Sequence, residues 1–424
     1  MKRMKIIKFL LIALLLPGNL LMAQEIVTLE QCQTWARENH PVLKQQELYQ
    51  QILDLKNENN ATSFLPQLNL NGQATYQSAV TKIAIPLPNI KIPTVDKDQY
   101  KFYLDFKQTI WDGGLSKAKE LINNAENAGN LQQTEVELYQ VKEKVNQFFF
   151  TSFLIQENLK ILEKKKETLA ERRKIMESAV SNGMVLSSEL DQLLAEIIKT
   201  DQMVIELKSN NETVLYALSI LTGKATEQLK YLTLPEELAV ADLPLKRPEL
   251  DLFSRQNEIL NANSDILQKQ RNPRLFGFGQ AGYGKPGLNM LNSQFDTYYL
   301  LGVGFSWNVL DWKTTSRQKQ MIKLQQDIVQ TKQESFVQNI DLASNQQTRQ
   351  INQITELLKT DLELISIRER ITKTSASKLE NGNITMADYI QDLNAEMTAR
   401  LMLETRKIQL KEARIKLANI RGNE

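Results

Sequence analysis

The sequence predicts a mainly α chain with a small β part. Three observations carry this. The chain reads as two copies of one design, each copy holds two alternating segments about ten residues long, and each follows them with a very long proline-free heptad stretch.

The element order starts after a secretory signal. Lys2, Arg3, Lys5 and Lys8 precede the apolar run "FLLIALLLPGNLLMA", and small residues near Ala23 suit cleavage, so residues 1–24 read as a signal peptide. The run is short and is broken by Pro17-Gly18, which argues against a membrane anchor. Without this segment 48 basic and 50 acidic residues remain, a net charge near −2, which argues against a nucleic-acid partner.

The duplication is visible in paired motifs. "HPVL" at 40 matches "RPEL" at 247, and "LPQLNLNGQATY" at 65 matches "NPRLFGFGQAGY" at 272, both at an offset of 207 residues. Further on, "TIWDGGLSKAK" at 109 matches "NVLDWKTTSRQK" at 308, and "SNGMVLSSELDQLLAEI" matches "NGNITMADYIQDLNAEM", at an offset of 199. One eight-residue length difference between Tyr76 and Trp111 reconciles the two offsets, and it belongs in a loop. The predicted organisation is a first repeat over 25–235, a linker over 236–246 and a second repeat over 247–424.

Each repeat opens with a helix. In the first, Thr28 and Gln31 have the spacing of a capping box. A strand follows in which Leu68, Leu70, Ala74 and Tyr76 share one face, opposite Asn69, Asn71, Gln73 and Thr75. The next strand sets Phe102, Leu104, Phe106 and Ile110 against Tyr103, Asp105, Lys107 and Thr109. Its counterpart sets Leu301, Val303, Phe305, Trp307 and Val309 against Gly302, Gly304, Ser306 and Asn308. Period 2 over about ten residues is what a tilted strand needs to cross an outer membrane, and the polar face suits a wet lumen. Leu104, Phe106, Val303 and Phe305 are therefore the expected lipid-facing residues. A soluble sandwich would show the same alternation.

The helices come next. Val145, Phe148, Ser152, Ile155, Leu159, Leu162, Lys166, Leu169, Arg173, Met176 and Val180 follow 4-3 spacing. Leu190, Leu194, Ile197, Val204, Leu215 and Leu218 continue it. No proline interrupts 94–234, so a helix from Leu115 to Val180 would run about 100 Å. Gly183 and Gly382 mark matched breaks, the expected turns at the tip of the paired helices.

Little chemistry is on offer. His40, beside Pro41, is the sole histidine and Cys32 the sole cysteine, which excludes an internal disulfide and Cys-rich metal sites. No paired acid, nucleophile–base or metal constellation appears, so neither an enzyme nor a cofactor is expected. "LFGFGQAGYGKPG" spells G-x-G-x-x-G and most of a Walker loop, but Pro286 replaces the Ser or Thr that would hold a metal. Its glycines fall inside the third strand, with "GKPGLN" as the loop after it.

Four strands cannot close a barrel, and lipid does not tolerate an open edge. Three chains would supply twelve strands. The derived object is a short shared barrel continued by a helical tube, with the loops at 77–99 and 284–297 outside. A soluble periplasmic coiled-coil adaptor or chaperone is the alternative. It leaves the alternating strands unexplained.

Taken in duplicated order, "TLEQCQTWARENHPVLK", "RPEL", "TIWDGGLSKAK" and the paired "NG" at 182 and 381 resemble the TolC-type outer-membrane factors, the outer membrane efflux protein family. The resemblance covers nearly the whole mature chain. It implies the exit duct of an efflux pump or a type I secretion system: a homotrimer with a twelve-stranded barrel in outer-membrane lipid and a periplasmic α-barrel. It also implies a periplasmic membrane-fusion adaptor and an inner-membrane pump of the RND, ABC or MFS kind. Asp388 stands where the family carries an inward-facing aspartate of its periplasmic constriction. The family's next aspartate falls at Gln391, with Asp392 one residue on, and Glu189 is the match in the first repeat. His40 stands where the family usually has Asn, and "LDWK" lacks the glycine pair of "WDGG".

Overall fold

The computed structural model describes residues 26–81, 96–235 and 243–423. The signal segment and much of the linker and of the first outer loop lie outside the described residues. The order is helix α1 (Leu29–Asn39), helix α2 (Lys44–Ala61), strands β1 (Gln67–Tyr76) and β2 (Asp98–Trp111), then helices α3 (Leu115–Ser181) and α4 (Ser187–Thr222). Helix α5 (Pro248–Lys269), strands β3 (Arg274–Lys285) and β4 (Asp296–Ser306), and helices α6 (Thr314–Glu380) and α7 (Met386–Arg421) follow. The chain is thus mainly helical with four antiparallel strands. Helices α3 and α6 are 67 residues each, and α4 and α7 are 36 residues each. Among the described residues no helix is long and apolar enough to cross a membrane.

The chain divides into two compact units, each drawing on both halves of the sequence. One comprises the described residues of 1–40, 138–244 and 343–424. Helix α1 starts in the expected box: the Thr28 hydroxyl accepts from Gln31 N, and the Gln31 side chain accepts from Thr28 N. Its buried Leu29, Cys32 and Ala36 pack with Val145, Phe149 and Phe150 of α3, Leu215 and Leu218 of α4, and Ile408 and Ile415 of α7. A second core gathers Leu169, Met176, Leu193, Met386, Tyr389, Leu393 and Met397.

Val145, Ser152, Ile155, Leu162, Leu169 and Met176 are buried as the heptad predicts, but Lys166 and Arg173 are exposed and Lys165 is buried instead. In α4 the expected Val204, Leu215 and Leu218 are buried, together with Leu193, Glu196, Thr200 and Thr222, while Leu190, Leu194 and Ile197 are only half-buried. A straight helix drifts about 20° per heptad against a 3.5-residue repeat, so one 4-3 register cannot hold over so many turns.

The other unit comprises the described residues of 41–137 and 245–342 and holds one sheet in the order β1-β2-β3-β4. All neighbours are antiparallel. The register lines up Leu70, Leu104, Ala281 and Tyr299 across the four strands, and Leu68, Phe106, Gly279 and Leu301 beside them. Side chains alternate along each strand, so these rows make one apolar face. The glycines of the apparent phosphate loop lie inside β3, where a Cβ on Gly279 would come within 2.7 Å of the Leu301 side chain.

Several details differ from the sequence reading: β2 begins at Asp98 and β4 at Asp296, inside the expected loops. Strand β3 runs to Lys285, so Gly284 and Lys285 belong to the strand and not to the loop. Strand β4 ends at Ser306, so Trp307 and Val309 lie beyond it. The second face is not uniformly polar: Phe276 and Phe278 sit on it, their rings over Gly304 and Gly302, which leave them room. Lys107 Nζ lies 4.8 Å from the centre of the Phe276 ring.

The two long helices leave the sheet through matched caps. Asp112 accepts from Gly114 N at 2.8 Å and from Ser116 N, and Asp311 accepts from Lys313 N and Thr315 N, both at 3.1 Å. The Gly113-Gly114 backbone is left-handed, and Trp312 and Lys313 adopt the same conformation with φ of 50° and 62°. Each non-glycine residue held there costs about 1–2 kcal/mol, so the turn is imposed by the cap rather than by the residue type.

Candidate functional site

The sheet and the helix-pair turns are the two candidate sites, one in each unit. On the sheet, Leu104, Val303 and Phe305 are exposed at 43%, 68% and 64%, and Phe106 is half-buried. With Leu68, Leu70, Phe102, Tyr299 and Leu301 they form a contiguous apolar surface. Apolar patches larger than a few hundred Å² on a soluble surface mark a contact with protein or membrane. Among the described residues, strands β1 and β4 each leave one edge without a partner strand.

At the turns, Gly183 and Gly382 have φ of +69° and +70°. Gly183 N donates to Val180 O and Met184 N to Ala179 O, and Gly382 N donates to Leu379 O and Asn383 N to Lys378 O. This pair of hydrogen bonds closes a helix through a left-handed glycine and satisfies its last carbonyls. Three residues later the two turns diverge. Thr385 caps α7: its hydroxyl accepts from Asp388 N at 3.2 Å, and the Asp388 carboxylate accepts from Thr385 N at 3.0 Å and from the hydroxyl at 2.7 Å. Those bonds hold the Asp388 carboxyl below the ordinary aspartate range. In the other turn Leu186 takes the place of Thr385 and offers no side-chain cap. Glu189 instead accepts from Met386 N, adding a carboxylate to the N-terminus of α7.

Two of the three acids singled out from the sequence, Asp388 and Glu189, therefore meet at the start of α7. Asp392 lies one turn further, where it accepts from the Ser375 hydroxyl of α6. Among the described residues no cluster of three or more His, Cys, Asp or Glu side chains could hold a metal.

Sequence reasoning passed over two charged groups. Lys165 of α3 is buried against Glu196 of α4 and donates to Asn394 of α7 at 2.7 Å, so one cation joins three helices. Arg172 donates to Glu380 at 2.7 Å and lies 5.3 Å from the Tyr389 ring centre. The signal for Lys165 is its i, i+3 spacing from Leu162, which puts it on the apolar stripe.

The arrangement defines a class by its fold: a mainly helical chain with a four-stranded sheet, shared with bacterial outer-membrane channels of TolC type. The CmeC outer membrane channel of Campylobacter jejuni matches 93% of this chain and 85% of its own, with TM-score 0.65 and 17% identity. VceC, an outer membrane protein of Vibrio cholerae, matches 93% of this chain and 96% of its own, with TM-score 0.66 and 13% identity. The open state of the MtrE outer membrane channel of Neisseria gonorrhoeae matches 93% and 89%, with TM-score 0.62 and 14% identity. No family model matches the sequence, and no curated protein sequence matches it. The likeness is one of fold.

Proposed function

We propose that this protein is an outer-membrane exit duct, a passive channel from periplasm to exterior that serves an efflux pump or a type I secretion system. The supporting observation is the exposed apolar face of a four-stranded sheet with two free edges, in a chain with the fold of outer-membrane channels. Backbone groups cannot stay unpaired in lipid, so the sheet is completed by copies of itself, and three chains give an even barrel of twelve strands. The two matched halves are one duplicated unit, over 25–235 and 247–424.

On this reading Leu104, Phe106, Val303 and Phe305 face acyl chains, and the helices stand in the periplasm with their turns at Gly183 and Gly382 forming the tip. Threefold symmetry makes Asp388 a ring of three carboxylates, with Glu189 and Asp392 beside it. Such a ring attracts cations within about a Debye length. The tip meets a periplasmic membrane-fusion adaptor that connects it to an inner-membrane RND, ABC or MFS pump. No step of this role calls for an enzyme or a cofactor.

Carbonate-washed membranes separated on a density gradient test this. The protein should band with the outer membrane, and after purification in detergent it should give stepwise conductance in planar bilayers. Recovery in the soluble periplasmic fraction would overturn the reading.

A further inference from the structure

The four residues beyond β4 have no place in the single chain. Trp307, Val309 and Leu310 are exposed at 55%, 63% and 64%, and no strand pairs with them. Their equivalents at an offset of 199, Gln108, Ile110 and Trp111, belong to β2, where Gln108 pairs with Gly277 and Trp111 with Leu275 of β3. What β2 has and β4 lacks is a strand on the far side. By the same duplication β3 is the equivalent of β1, whose outer edge is free. The chain therefore carries in its β2–β3 pair a template for joining β4 to a β1 that it cannot itself bring there.

We propose that β4 of one subunit pairs antiparallel with β1 of the next in the register of β2 on β3, and that this pairing extends β4 through Leu310. The proposal rests on the shared-barrel reading above and deepens it to residue pairs. Leu104 faces Ala281 in the template, which translates to Val303 against Ala74 of the next subunit. Lys107 on Phe278 becomes Ser306 on Asn71 of the next subunit, and Trp111 on Leu275 becomes Leu310 on Leu68 of the next subunit. The template has a bulge at Ile110, between Thr109 and Trp111, and carried over to Val309 it keeps the faces in order: Val303, Phe305 and Leu310 meet Ala74, Gly72 and Leu68, all on the apolar side.

The junction below the strands agrees. In the template, Asn272 Nδ2 donates to Gly113 O at 2.6 Å, and a Cβ on Gly113 would lie 2.5 Å from Asn272 Cβ. The equivalents are Trp312 and Leu65, exposed at 77% and 57%. A polar contact that demands glycine is replaced by two apolar side chains that lack cover in the lone chain, and each finds cover in the other when the strands pair.

Cysteine pairs read the register directly. Paired antiparallel residues have Cα atoms about 4.5–5.5 Å apart, which a disulfide spans, whereas a two-residue slip adds about 6.8 Å along the strand and breaks that geometry. Within one subunit β1 and β4 are three strand spacings apart, about 14 Å, so any such disulfide joins two chains.

Full-length Val303→Cys/Ala74→Cys, Ser306→Cys/Asn71→Cys and Leu310→Cys/Leu68→Cys variants are oxidised in the outer membrane and run without reductant. Each single-cysteine variant, and each pair under reductant, is checked for trimer by native mass. All three pairs should cross-link into chain multimers, while Val303→Cys with Gly72→Cys or with Tyr76→Cys, and the single variants, should not. Trimers in which Val303→Cys links instead to Gly72→Cys or Tyr76→Cys would overturn the register and leave the channel reading standing. Cross-links at the first two pairs without Leu310–Leu68 would overturn the extension. Reduced variants and parent alike running as monomers would overturn the shared barrel itself.

Discussion

Leu104→Arg is the sharpest perturbation of the sheet. Leu104 is the seventh of the fourteen residues of β2, and Leu70 and Ala281 flank it on the same face. At about 3.3 Å per residue and a tilt near 40°, β2 rises about 35 Å, so in the proposed barrel its centre falls near the bilayer midplane. An arginine at that depth costs about 2–4 kcal/mol. A threefold barrel carries the change three times, giving about 6–12 kcal/mol per assembly, comparable to the whole stability of a folded domain. Asn71→Arg is the control, because Asn71 sits one register pair away and on the other face. Native mass of detergent extracts, followed through a urea titration, measures both. Leu104→Arg should lose the trimer or move its midpoint far down, and Asn71→Arg should shift it little. Equal damage from the two, or none from Leu104→Arg, would refute the assignment of faces.

Three further outcomes are expected. Lys165→Met leaves Glu196 buried without its cation and should cost about 3–5 kcal/mol in chemical unfolding, most of it recovered in Lys165→Met/Glu196→Leu. Asp388 is held below the ordinary aspartate range by the Thr385 hydroxyl and N–H, so its charge, and any stability it adds, persists above that range and is lost only as pH falls through the lowered value. Cation selectivity in single-channel recordings should therefore survive acidification past about pH 3.9, should fail sooner in Thr385→Ala, and should be reduced in Asp388→Ala at neutral pH, while Asp54→Ala matches the parent. Burial pushes the Cys32 thiol up to about 12, so a maleimide at pH 8 should leave it unlabelled in the folded protein and label it in urea.

Much of the fold was legible because its periods are clean. Alternation placed Leu68, Leu70, Leu104, Phe106, Val303 and Phe305 on one face, and the register sets them in adjacent rows. The length of α3 followed from the absence of proline. Other features were hidden for physical reasons. The end of β4 depends on a pairing edge that the chain does not supply to itself, so a pattern continuing to Val309 overran the strand. Phe276 and Phe278 align with Asn69 and Asn71 of the second face, but that Gly304 and Gly302 lie opposite and leave room for their rings shows only once β3 and β4 are paired. Lys165 and Glu196 escaped because a fixed heptad drifts off the true stripe along a helix of 67 residues. The glycine turns between the paired helices were legible as breaks. The bond from Met386 N to Glu189 links residues 197 apart in sequence, and no local pattern announces it.

The central claim is that one chain cannot complete its own sheet and three chains complete one barrel. Native mass measurement of the protein extracted from outer membranes in mild detergent tests it most directly. Three chains per particle is the predicted result, and a stable single-chain particle with full strand content would contradict it.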